Sequence, residues 1–154
     1  DAHSDFRDSL NWSSLNHACV AKQVSKNHSV GILGVRSQDI DEAKAINKNS
    51  DVHMVKCNDF GEGQLQFILS KLKKKVYVSI DVDVFDPAFI RNTGTPEPGG
   101  FIWKEVMKIL KETFKQKEVI GADIVEFAPE FHFKAEAYSL AKLTYKIMSF
   151  QAVK

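Results

Sequence analysis

Short apolar runs rich in valine and isoleucine alternate along this chain with longer stretches in which apolar residues recur every three to four positions. A run of the first kind has the composition of a buried strand, and a stretch of the second kind presents one apolar helical face. Strands are therefore predicted over 29–35, 51–55, 75–84 and 118–126, and helices over 14–24, 38–47, 63–73, 103–115 and 135–150. In the last helix Leu140, Leu143, Ile147 and Phe150 keep helical spacing. Such alternation builds βαβ units, so the predicted fold class is α/β with a mainly parallel sheet. Between 86 and 100 the chain reads Asp-Pro, Thr-Pro, Glu-Pro and Gly-Gly, which neither a helix nor a central strand accommodates. A loop beyond the preceding strand is predicted there. Lys71, Lys73, Lys74 and Lys75 read as a solvated helix end whose charge offsets the carboxy-terminal dipole.

Composition narrows the picture. With 154 residues, 44% of them hydrophobic, the chain can bury one sizeable core, and a single domain over 1–154 is expected. A net charge of +1 gives no electrostatic footprint for nucleic acid or for an acidic membrane surface, so neither is expected as a partner. Cys19 and Cys57 lie far apart and form no C-x-x-C pair, which argues against a disulfide framework or a thiolate zinc site. No apolar run reaches the roughly 18 to 20 residues needed to span a bilayer. A soluble protein of the reducing cytoplasm is expected.

Two clusters carry candidate chemistry. Asp1, His3 and Asp5 stand at alternate positions of Asp-Ala-His-Ser-Asp. In a fully extended chain they share one face, about 7 Å between successive ligands, which suits two adjacent ions or a chain that bends after Asp1. An ordinary polar loop with a helix-capping aspartate also accounts for this cluster taken alone. In the second, Asp81 and Asp83 interrupt a strongly apolar run; strand alternation puts Val76, Val78, Ile80, Val82 and Val84 on one face and Tyr77, Ser79, Asp81 and Asp83 on the other. Two buried carboxylates so close repel each other and are costly to desolvate unless a cation lies between them, the alternative being a solvated edge strand. Asp86, followed by proline, reads as a turn residue. Together the clusters offer four carboxylates and one imidazole, a hard set that favours manganese or magnesium, with manganese preferred. In an open α/β sheet such groups gather beyond the carboxyl ends of the strands.

Four segments in this order, Asp-Ala-His-Ser-Asp at 1–5, Ser-Ile-Asp-Val-Asp-Val-Phe-Asp-Pro at 79–87, Gly-Thr-Pro-Glu-Pro-Gly-Gly at 94–100 and Asp-Ile-Val-Glu at 123–126, resemble the signatures of the arginase and agmatinase family of ureohydrolases. The resemblance covers essentially the whole chain, and the stretch at 14–20 together with the Pro-Glu-Pro-Gly-Gly loop looks closest to archaeal-type agmatinases. It implies a three-layer α/β/α fold with a binuclear centre of two Mn2+. Carried over by position, it implies that Asp1 and Asp81 bridge the ions, Asp5 binds one, and His3 and Asp83 bind the other. The family's sixth ligand, a histidine in an upstream Gly-Gly-Asp-His motif, has no counterpart in this sequence, so a C-terminal portion of a longer protein, lacking the first strands of the sheet, is expected.

The resemblance also implies chemistry. A guanidinium carbon is a poor electrophile, and two ions lower the pKa of a shared water towards about 7 and hold the resulting hydroxide against it. His17 is the candidate proton shuttle to the departing amine, a helix-start role being its structural alternative. Glu126 is the candidate partner of the guanidinium through two parallel hydrogen bonds, or else caps the turn before Pro129. Thr95 and Glu97 are assigned a part in shaping the pocket, and Asp123 a supporting or structural one. His28, His53 and His132 read as surface or packing residues. Where arginases usually carry an asparagine two residues after the last aspartate of the first motif, this sequence has Arg7, which favours agmatine or a related guanidino-alkylamine over an amino acid. Asp8 could attract a distant amine or pair with Arg7. The expected reaction is hydrolysis of agmatine to putrescine and urea. Its alternatives are an arginase, another guanidino or formimino hydrolase of the same fold, or a non-catalytic scaffold. The resemblance implies a homo-oligomer, a trimer or hexamer.

Overall fold

The structure, a computed structural model, describes residues 1–130 and 134–153. They form two compact units, Asp1–Lys73 and Lys74–Lys154. His132 lies outside the described residues.

In the first unit a 3-10 turn at His17–Cys19 leads into α1 (Val20–Val24), and β1 (Val30–Val35) pairs in parallel with β2 (Val52–Lys56), Val30 opposite Val52. The crossover between them is α2 (Ile40–Asn47), and α3 (Glu62–Lys71) follows β2. Phe6, Ile32, Val35, Ile46 and Val52 form a buried cluster, the apolar faces predicted for these elements meeting one another. A side chain at Gly31 would meet Ile68 Cγ2 at 2.7 Å, so α3 approaches β1 across a position that has none. Asp39 starts α2 with a capping box: its carboxylate accepts from Asp41 N at 2.9 Å, and Glu42 Oε2 accepts from Asp39 N at 3.0 Å.

In the second unit β3 (Lys75–Asp81) pairs in parallel with β4 (Glu118–Val125), Lys75 opposite Glu118, and α4 (Trp103–Gln116) is their crossover. The last helix, α5 (Ala135–Ala152), follows β4. Phe85, Phe101, Val106, Leu110, Phe114 and Leu143 are buried here. The proline- and glycine-rich segment is irregular as predicted, and its two ends are tied by a parallel bridge between Phe85 and Phe101. The four lysines at 71, 73, 74 and 75 are exposed, Lys75 facing Glu118 at 3.8 Å.

Each unit thus has parallel strands joined through a helix, as the alternating pattern predicts. Two elements differ. The strand predicted over 75–84 stops at Asp81, because the Asp81 carboxylate accepts from Asp83 N at 3.0 Å and caps a 3-10 turn over Val82–Val84. Asp83 is therefore not a strand residue, and Val82 and Val84 are buried in the turn rather than on one strand face. The helix predicted over 14–24 is shortened because Leu10 and Ser13 exchange backbone hydrogen bonds of 2.9 and 3.0 Å around Asn11 and Trp12, and Asn16 caps the 3-10 turn that follows. Among the described residues no helix is long and apolar enough to cross a membrane.

Candidate metal centre

In the first unit Asp1, His3 and Asp5 are half-buried and alternate with Ala2, Ser4 and Phe6, which are buried. The apolar and hydroxyl side chains thereby leave the three ligand candidates on the other side of the chain. The Ala2 carbonyl accepts from Arg36 N at 2.9 Å and Ser37 N at 3.0 Å, and His3 bridges Ser37 in parallel, so the motif runs beside the end of β1. The chain stays extended through the bridge at His3 and turns at Asp5 rather than after Asp1. His3 N donates to Asp1 Oδ1 at 2.6 Å, bringing His3 Nδ1 to 3.7 Å from that same oxygen, and Asp5 sits in the left-handed region at φ 47°.

What fixes this bend is a residue to which sequence reasoning gave no role. Glu42, 7% exposed, accepts through Oε1 from Ser4 Oγ at 2.9 Å and from Phe6 N at 2.8 Å. These two donors flank Asp5. The Asp-x-x-Glu spacing at 39–42 does signal a helix start, but not this second, long-range use of the same carboxylate. Arg7 folds back onto the helix start, with Asp39 at 3.7 Å and Glu42 at 3.9 Å, while Asp8 faces Lys22 at 3.2 Å. The Arg7–Asp8 pairing considered above is therefore replaced, because each side chain finds an opposite charge on a neighbouring helix. His17 is exposed at the first position of its 3-10 turn. His28 is exposed, and His53 packs edge-on against Phe67 with ring centres 6.0 Å apart.

In the second unit Asp81 and Asp83 are 7% and 2% exposed. Burial raises the Asp81 carboxyl to about 7, opposed by the hydrogen bond from the Asp83 backbone and reinforced by the charge of the Asp83 carboxylate. Such a carboxyl keeps its proton to a higher pH than an ordinary aspartate does. A divalent cation is the simplest group that would relieve both the desolvation and the repulsion, so the donor set fits a hard metal ion.

Glu126 lies one residue beyond β4, exposed, with φ 62°. Thr95 is exposed and Glu97 half-buried in the proline- and glycine-rich loop. Asp86 serves that loop as predicted: Oδ1 accepts from Ala88 N at 2.9 Å, and Oδ2 from Gly99 N at 2.8 Å and Gly100 N at 3.2 Å. Gly99, at φ 79°, supplies the left-handed turn this requires. Asp123 accepts from the Tyr77 hydroxyl at 3.0 Å, a hydrogen bond that holds the phenol above its ordinary range.

The profile of the arginase family matches residues 1–149. An agmatinase of Pyrococcus horikoshii is 39% identical over 153 residues, covering 99% of this chain and 54% of that protein. An N(1)-aminopropylagmatine ureohydrolase of Synechocystis sp. is 37% identical over 156 residues, covering 97% of this chain and 50% of the relative. Among solved structures, the agmatine ureohydrolase of Thermoplasma volcanium superposes with a TM-score of 0.82 at 27% identity, covering 99% of this chain and 53% of that one. This likeness bears out the α/β fold class. The chain spans about half the length of the curated relatives it matches.

Proposed function

The chain belongs to the arginase family, and from that premise we propose that it is part of a metal-dependent hydrolase that releases urea from a guanidino compound, with agmatine as the first candidate substrate. The buried pair of Asp81 and Asp83 carries this reading: two carboxylates at 7% and 2% exposure form a donor set that a divalent cation would stabilise. Asp1, His3, Asp5, Asp81 and Asp83 are proposed to hold two ions, and the oxygen-rich set favours manganese. When bound, the ions supply Lewis acidity and a water acidic enough to attack at neutral pH.

The chain's own residues have the remaining tasks. Glu126 accepts two N–H groups of the guanidinium and orients it; its exposed position just past a strand end leaves the carboxylate accessible. His17, also exposed, protonates the departing amine. Thr95 and Glu97 line the substrate's path on a loop held by Asp86. A second substrate, N1-aminopropylagmatine, is favoured by the Synechocystis relative, at nearly the same identity as the agmatinase. The two compounds share the guanidinium end and differ at the amine end.

The test is urea release by the intact manganese-loaded protein from agmatine, N1-aminopropylagmatine and arginine in parallel. Urea from one of the first two, at a kcat/KM at least roughly tenfold above arginine, is the expected result. Preference for arginine would make the protein an arginase. Urea from none, with no manganese retained, would make it a scaffold.

A pH dependence follows from Asp81. With its carboxyl raised to about 7, a bound cation must displace a proton below that pH and none well above it. Manganese affinity is expected to fall by up to about tenfold per pH unit as pH drops below 7 and to level off above 8. Calorimetric titration in two buffers of different ionisation enthalpy counts the released proton directly. A flat affinity between pH 6 and 8 would remove Asp81 from the ligand set.

A further inference from the structure

Glu136 lies in the first turn of α5. An acidic residue there usually faces water and favours the helix dipole, but this one is 4% exposed. Burial of a carboxylate is costly unless hydrogen bonds compensate it. Here they do: Oε1 accepts from Arg91 N at 3.2 Å and Oε2 from Asn92 N at 3.0 Å, two consecutive backbone donors of the proline- and glycine-rich loop. Arg91 Nε adds an ion pair at 3.6 Å.

The loop backbone held in this way is itself fastened to the strand end. The Asn92 carbonyl accepts from Ala128 N at 2.9 Å, and Thr93 forms an antiparallel bridge with Phe127. Asn92 Nδ2 and Thr93 Oγ1 are buried with no partner among the described residues, so backbone groups and the Glu136 carboxylate make this junction. Glu126 immediately precedes the bridge. At φ 62° it occupies a region that a residue with a side chain enters only under constraint from its surroundings.

We infer that Glu136 is a positioning residue: it latches the Arg91–Asn92 backbone, and through Asn92 and Thr93 the residues just after Glu126, so that the Glu126 carboxylate and the loop carrying Thr95 and Glu97 meet the guanidino substrate in a fixed orientation. The inference rests on the functional reading above. Glu136 acts here on substrate orientation and not on the metal, which separates it from a general role in stability.

Glu136→Gln replaces one of the two acceptors by an amide that cannot accept, and Glu136→Asp keeps both oxygens but shortens their reach. Both are to be compared with wild type in the intact manganese-loaded protein, by agmatine kinetics, manganese content and deuterium exchange of the backbone at 91–93 and 127–128. Glu136→Gln is expected to keep its manganese and to raise KM for agmatine roughly tenfold, the scale of one lost hydrogen bond. Its kcat should stay within about twofold of wild type, with faster exchange in both segments. Glu136→Asp should fall between the two. An unchanged KM in a folded, metal-loaded variant, or a loss of activity that merely tracks lost metal or lost folded protein, would overturn the inference. Failure of the wild type to release urea from any guanidino compound would refute the functional reading first, and the positioning role with it.

Discussion

Asp81→Asn is expected to lower manganese-dependent urea release by the intact protein at least about 100-fold, since loss of a ligand's charge should cost no less than the 10- to 100-fold typical of groups one shell further out. The same substitution should stabilise the metal-free protein at pH 8. The Asp81 carboxyl is raised in the folded state from its ordinary 3.8 to about 7, chiefly by burial. The folded protein therefore holds a proton that the unfolded chain has already released between these values. The stability this contributes is full below about pH 4, declines as pH rises, and is gone above 7, where folding must bury the charge. Asparagine is neutral throughout and its carbonyl can still accept from Asp83 N, the bond that caps the 3-10 turn. Thermal unfolding of the metal-free protein should thus show Asp81→Asn more stable than wild type at pH 8, with the difference vanishing towards pH 4. Gain of metal-free stability with loss of activity is the signature of a carboxylate kept for its charge. A variant that is less stable at pH 8 would mean that Asp81 is held by partners other than a cation, and retained urea release would remove it from the centre.

The α/β class was legible because the Val- and Ile-rich runs and the helical stripes differ in period, and the structure ends most elements within two residues of where the pattern does. The Asp86 turn was legible for the same local reason: aspartate before proline has few other uses. Asp83 was misplaced because Val82-Asp83-Val84 alternates like a strand. Only the carboxylate of Asp81, turned back onto the next backbone, converts it to a 3-10 turn, and alternation carries no information about such a bond. Glu42 and Glu136 were invisible for a different reason. Each sits in the first turn of a helix, where an acid already has a local explanation in the dipole or the capping box. Their decisive partners are 38 and 45 residues away in sequence, at Ser4 and Arg91. Ligands announce themselves by residue type and spacing, whereas the groups that orient them do so only once the chain is folded.

Glu42 gives the second large effect. Its Oε1 takes two hydrogen bonds from the first metal motif, Ser4 Oγ and Phe6 N, and its Oε2 takes the Asp39 N–H that opens α2. Glu42→Ala would leave the buried Ser4 hydroxyl and Phe6 N–H without an acceptor, at about 1–3 kcal/mol each, and would also remove the capping box. A total loss of about 3–5 kcal/mol is expected from these three hydrogen bonds together. Denaturant unfolding of the metal-free protein measures it. Glu42→Gln discriminates between fold and site, because its single carbonyl can still serve Ser4 and Phe6 while its amide faces the Asp39 N–H. It should lose about 1–2 kcal/mol at the helix start, yet keep most of its manganese affinity. If the two variants instead lost stability equally and bound manganese equally, Glu42 would be a helix cap alone, and the bend that carries Asp5 would have to be fixed by the bonds from Arg36 and Ser37 to Ala2. Ser4 and Phe6 bracket Asp5 in sequence and both end on one oxygen of Glu42, so a cap acting alone would leave those two bonds without a consequence.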